Sequence, residues 1–216
     1  MKSNLAEVAQ LQPDYLGFIF YEGSPRFYEL ESIEELPGKT KKVGVFVNAE
    51  IDEILKKINQ FGLNIIQLHG KESAAYCSEL NKKLLDINKN RTNSLIEAET
   101  EPVEVWKVFS IKDTFDFSVL EAYEAYIDKF LFDTKGKNKG GNGYTFDWQV
   151  LKDYPSKKEL ILSGGIGPEE IDDVKALTKT DLPLHGIDVN SKFEIKPGLK
   201  DVALLRKFKE ELEVRG

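Results

Sequence analysis

Short apolar runs that alternate with amphipathic segments constrain this chain more than any other feature. The runs Tyr15–Phe20, Val43–Val47, Ile65–Leu68, Val105–Phe109, Phe130–Phe132, Leu160–Leu162 and Gly186–Val189 have strand character. Each is followed by a helix candidate: Leu30–Leu36, Glu50–Phe61, Ser73–Leu80, Ser118–Tyr123, Phe146–Asp153, Pro168–Leu177 and Val202–Leu212. Such alternation is the signature of βα units around a parallel sheet. Seven units can be counted. A further amphipathic segment, Asn4–Leu11, precedes the first strand and has no strand of its own. The count predicts an α/β fold, a (β/α)8 barrel with its first β-strand missing from the chain. A seven-stranded open sheet is the alternative.

Two strand-to-loop junctions near the end carry chemistry. The runs Leu160–Leu162 and Gly186–Val189 stop abruptly in Ser163-Gly164-Gly165 and in Asn190-Ser191. Glycine lets the backbone approach an anion, and amide N–H groups at a nearby helix start point a positive dipole at it. Consecutive junctions of this kind are how a (β/α)8 barrel builds a phosphate site after its last two strands. An enzyme for a small phosphorylated metabolite is expected.

Composition agrees. The 216 residues, 41% hydrophobic and 31% charged, suffice for one domain with a full core over 1–216. A net charge of −7 leaves no basic footprint for nucleic acid. One cysteine allows no intrachain disulfide, and no Cys/His cluster has metal-ligand spacing, so no metal is expected. No long apolar run or signal-peptide pattern is present, which reads as cytoplasmic with no membrane partner.

The motifs then resemble one family, strand by strand. Asp14-Tyr15-Leu16-Gly17-Phe18-Ile19-Phe20 with Ser24-Pro25-Arg26-Phe27, Val43-Gly44-Val45-Phe46-Val47-Asn48 and Ile66-Gln67-Leu68-His69-Gly70 are similar to the second, third and fourth strands of phosphoribosylanthranilate isomerase. Trp106-Lys107-Val108-Phe109-Ser110 is similar to the fifth. Leu131-Phe132-Asp133-Thr134, the run Gly140-Gly141-Asn142-Gly143 and Phe146-Asp147-Trp148 resemble the sixth strand, its loop and the next helix. The two glycine- and asparagine-bearing junctions complete the set. The resemblance implies a TIM barrel and a step of tryptophan biosynthesis. The implied reaction is the cofactor-free Amadori rearrangement of N-(5-phosphoribosyl)anthranilate to 1-(2-carboxyphenylamino)-1-deoxyribulose 5-phosphate, by an intramolecular oxidoreductase acting as monomer or homodimer.

Two departures accompany it. Asn81 to Pro102 is longer than the family's link, which predicts a surface insertion near 84–102 with a short element of its own. The family's first strand ends in Lys-x-Cys-Gly, whose cysteine is the general base, whereas this chain begins Met1-Lys2-Ser3-Asn4. Met1 is expected to correspond to the methionine after Cys-Gly, so that the chain starts internally or is truncated, and activity as written is expected to be impaired.

The resemblance implies roles residue by residue. Asp133, at a strand's C-terminal end, is placed as the acid that protonates the furanose ring oxygen; otherwise it caps a loop turn. Arg26 suits the anthranilate carboxylate, which a guanidinium engages bidentately, and is otherwise an exposed loop arginine. Gly164, Gly165, Asp188, Asn190 and Ser191 map to the phosphate end, with Asp188 orienting amides or a hydroxyl because two anions repel. Cys77 lies on a helix and is expected to be packed there. His69 contacts substrate or anchors a loop; His185 and Trp148 are expected to be structural. Lys135 to Tyr144 reads as a lid over Asp133. Two alternatives stand beside this reading: an inactive phosphate-binding relative, and another phosphate-binding barrel such as indoleglycerol-phosphate synthase. The latter needs catalytic lysines at strand ends, and Lys107 alone is near one.

Overall fold

The computed structural model describes residues 2–92, 101–112, 114–134 and 148–213. The chain forms two compact units, Met1–Lys107 with Ala122–Asp128, and Val108–Glu121 with Lys129–Gly216.

The first unit begins with helix α1 (Leu5–Ala9) and strand β1 (Tyr15–Ile19), and among the described residues no strand precedes β1. Strand β2 (Lys41–Phe46), helix α2 (Ile51–Phe61), strand β3 (Ile65–Leu68), helix α3 (Ala74–Thr92) and the start of strand β4 (Glu104–Ile111) follow. Pairing is parallel throughout, β1 on β2, β2 on β3 and β3 on β4, with Gly17 opposite Val43, Val45 opposite Gln67, and Leu68 opposite Lys107. A parallel strand covered on both faces needs a continuous apolar run rather than an alternating one. β3 shows this: Ile65, Ile66 and Leu68 are fully buried, and Gln67 nearly so. Helix α2 buries Ile51, Ile54, Ile58 and Phe61, a 3–4 residue spacing that gathers them on one face. Each such burial contributes about 1.5–3 kcal/mol. Phe20 stacks between Phe46 and Phe61, with centroids 5.3 and 5.0 Å away.

In the second unit strand β5 (Lys129–Thr134), strand β6 (Leu160–Ser163), helix α4 (Ile171–Leu177) and strand β7 (Leu184–Asp188) come in order. β5 pairs β6 and β6 pairs β7, again parallel. Phe130, Leu131, Phe132, Leu160 and Leu162 are fully buried. A small antiparallel hairpin, β8 (Glu194–Lys196) and β9 (Leu199–Lys200), leads into helix α5 (Val202–Glu213).

All seven expected strands form, with ends moved by a residue or two. Several helix expectations change. Leu30–Leu36 is irregular. Glu31, Glu34 and Glu35 would stack like charges at helical spacing, and Pro37 leaves too short a segment to nucleate a helix. Tyr28 Oη instead donates to the Ser32 carbonyl and Gln60 Nε2 to that of Glu31, at 2.8 Å each. Ser118–Tyr123 becomes a 3-10 turn over Phe117–Leu120, and Trp148–Asp153 is 3-10 as well. α3 runs well past Leu80, because Leu80, Leu84 and Ile87 keep helical spacing and the first two are buried. Residues 84–92 of the expected insertion therefore continue α3, and 93–100 lie outside the described residues. The expected lid, Lys135 to Tyr144, its glycine run and Phe146-Asp147 also lie outside them.

Candidate active site

Three strand ends build the site in the second unit. Asp133 is the register partner of Ser163, and Ser163 that of Asp188, so the three sit at one level on adjacent strands β5, β6 and β7. Ser163, nearly buried, donates from Oγ to Asp188 Oδ2 at 3.1 Å. That bond fixes the Asp188 carboxylate. Asp133 is half-buried, one strand away from Ser163.

Immediately beyond β6 the backbone turns through Gly164 at φ +89° and Gly165 at φ +70°. A Cβ added at Gly165 would meet nothing within 4 Å. The backbone conformation, not crowding, calls for glycine there, and a side chain would project into open space. Two residues on, the constraint is the reverse. A Cβ on Gly167 would lie 3.1 Å from that of Lys192, so the loop after β6 touches the loop after β7. The Gly167 amide donates to the buried Glu170 carboxylate at 2.7 Å, which holds this approach. Asn190 and Ser191 are exposed at the start of the second loop, where a 3-10 turn, Ser191–Phe193, begins. The structure thus gathers Asp133, Gly164, Gly165, Asp188, Asn190 and Ser191 on the C-terminal ends of β5–β7 and their loops.

Arg26 belongs to the first unit. It is half-buried in the loop after β1, where its amide donates to Ser24 Oγ at 3.1 Å. The parallel bridge of Phe27 with Ile19, and the 2.9 Å bond from the Tyr28 amide to the Ile19 carbonyl, tie that loop back to β1. His69 follows β3, with its Nδ1 3.3 Å from Gln67 Nε2.

A buried polar cluster that links the middle of β4 to the segments just beyond β2 and β3 escaped the sequence. Lys107 Nζ donates to Glu72 Oε2 at 2.9 Å and to the carbonyls of Leu68 and Gly70 at 3.2 and 3.0 Å. Glu72 also accepts from the amides of Asn48 and Gly70. The side chains are 3% and 1% exposed. A lysine inside an apolar strand pattern was the available signal, since such a charge is buried only when paired. Glu170 was likewise missed, and Ser163 was read only as part of its turn.

Cys77 is fully buried in α3, and desolvation pushes its thiol up to about 11. His185 Nδ1 stands 3.1 Å from Glu159, and Trp148 is buried. Among the described residues no group of His, Cys, Asp and Glu could hold a metal ion, and no helix is long and apolar enough to cross a membrane.

Known proteins are similar to this chain in sequence and in fold. The profile of the family described as N-(5'phosphoribosyl)anthranilate (PRA) isomerase matches residues 1–94 and 86–211. N-(5'-phosphoribosyl)anthranilate isomerase of Parabacteroides distasonis is 39% identical over 214 residues, covering 97% of this chain and 88% of the relative. The crystal structure of phosphoribosyl anthranilate isomerase from Thermotoga maritima aligns with TM-score 0.70 at 27% identity, covering 96% and 91%. A crystal structure of phosphoribosyl anthranilate isomerase in complex with reduced 1-(o-carboxyphenylamino)-1-deoxyribulose 5-phosphate aligns with TM-score 0.68 at 25% identity, over the same shares. The fold class is that of these relatives, an α/β TIM barrel.

Proposed function

The chain belongs to the N-(5'-phosphoribosyl)anthranilate isomerase family, and from that premise we propose how its own residues divide the work of the tryptophan-pathway isomerisation. The substrate phosphate sits at the Gly164-Gly165 and Asn190-Ser191 loops, and Asp188 orients the surroundings through Ser163. Asp133 protonates the furanose ring oxygen, which opens the ring to a Schiff base. A general base then takes the C2′ proton, and the enolamine so formed tautomerises to the ketone. Arg26 takes the anthranilate carboxylate in a two-pronged contact. The base is not Cys77, whose buried thiol is protonated at neutral pH and lies on a helix rather than at a strand end.

The observation that carries this reading is the shared level of Asp133, Ser163 and Asp188 beside two touching loops. Indoleglycerol-phosphate synthase chemistry is disfavoured by Lys107, whose ammonium is committed to Glu72 and two carbonyls. The protein is a cytoplasmic monomer or homodimer in this reading.

The test is turnover of freshly generated N-(5-phosphoribosyl)anthranilate by the native chain and by Asp133→Asn. The amide keeps the shape but donates no proton, so turnover falls by ~10²–10⁴-fold while binding of the reduced product analogue stays within a few-fold. Retained turnover in the variant would remove Asp133 from the acid role.

A further inference from the structure

The hairpin that follows the second phosphate loop returns a lysine to that loop. Lys200 Nζ donates to the Asn190 carbonyl at 2.9 Å and to Asn190 Oδ1 at 2.6 Å. Its charge is matched by Glu194, whose Oε1 is 3.4 Å away. Glu194 faces Lys200 across β8 and β9 and also accepts from the Gly198 amide at 3.1 Å. Side-chain exposures of 10% and 4% show that this is not a solvated surface pair. The hairpin is itself anchored. The Asp201 amide donates to the Phe193 carbonyl at 2.9 Å, Asp201 Oδ1 accepts from the Leu204 amide at the start of α5, and Phe193 packs on Phe208 at 4.9 Å.

We propose that Lys200 is a positioning residue for the phosphate end of the site, setting the direction of the Ser191 amide. This rests on the reading of the Asn190-Ser191 loop given above. In a trans peptide the carbonyl of one residue and the N–H of the next point in opposite directions. Holding the Asn190 oxygen against Lys200 therefore turns the Ser191 N–H away from the hairpin, toward the side on which an anion would be received. Because Glu194 neutralises the ammonium, the contribution of Lys200 is geometric and not a long-range attraction. The hydrogen bond to Asn190 Oδ1 ties down that side chain, and the Phe193 amide donates to the same Asn190 carbonyl at 3.1 Å, so lysine and turn together hold the peptide plane.

The experiment measures binding of the reduced product analogue and of inorganic phosphate by calorimetry, at low and high salt. Native chain, Lys200→Met, Lys200→Gln and Gly165→Trp are compared. Both Lys200 variants are expected to weaken the analogue roughly tenfold or more, the loss of a charge-assisted hydrogen bond, by the same factor at both salt concentrations. Their KM rises while kcat holds, and amide exchange across Asn190–Phe193 quickens in the ligand-free protein. A thermally weakened variant with unchanged affinity and KM makes Lys200 merely structural and overturns the proposal. So does a loss that disappears at high salt, which identifies plain charge attraction. If Gly165→Trp weakens binding and the Lys200 variants do not, the phosphate reading stands and the role of Lys200 falls. If none of the three weakens binding, the phosphate reading itself fails.

Discussion

Lys107 Nζ stands 2.9 Å from Glu72 Oε2 with both side chains buried, and the pair links the middle of β4 to the segments that follow β2 and β3. Two charges leave water only where further hydrogen bonds replace their hydration, and here two carbonyls and two amides do so. Lys107→Met strands a buried carboxylate and is expected to destabilise the protein by about 3–5 kcal/mol. Adding Glu72→Gln to it should recover a large part of that loss. Urea unfolding of both singles and the double variant checks this; additive losses would mean that the two side chains do not act as a pair.

Cys77 should be dispensable for catalysis. Cys77→Ala is expected to keep turnover within a few-fold, and the native thiol to react with a thiol reagent only as fast as the helix opens. There is a pH signature as well. The folded thiol titrates near 11, above the ordinary value of 9.0. Its neutral form therefore supports the fold below pH 9, and that support is lost as pH rises through 11. The contribution is roughly 2–3 kcal/mol, read as a shallower alkaline loss of stability in Cys77→Ala than in the native chain.

Replacing Gly165 by valine or tryptophan is expected to weaken the reduced product analogue severely. The φ of +70° strains any L side chain, and the side chain would occupy the open space beside the loop. Calorimetry that returns native affinity would move the phosphate elsewhere.

Arg26→Lys keeps the charge and loses the planar fork. A several-fold to tenfold rise in KM with little change in kcat is expected. Steady-state kinetics decides it, and an unchanged KM would return Arg26 to an ordinary loop residue.

The strands were legible because burial on both faces writes an uninterrupted apolar run; Ile65–Leu68 needed no adjustment at either end. The glycine pair after Leu162 was legible for a related reason, since a positive φ is a purely local demand. What failed was decided at a distance. Leu30–Leu36 has helical spacing, yet its carbonyls bond to Tyr28 and Gln60. Glu72 and Lys107 are 35 positions apart, and Asn190 and Lys200 are joined only once a hairpin folds. No local pattern announces such partners. Motif resemblance did supply the reading of Asp133 and Arg26, which spacing alone left as a loop cap and a loop arginine.

The close approach of Gly167 to Lys192 has an evolutionary and an engineering side. Two loops pressed together at a single methylene cannot drift in length independently, because an insertion in one drives its neighbour off the strand ends. Matched changes are the ones this packing tolerates, so residues 164–167 and 190–192 are expected to change together. A designer who wishes to reshape this rim must transplant both halves together.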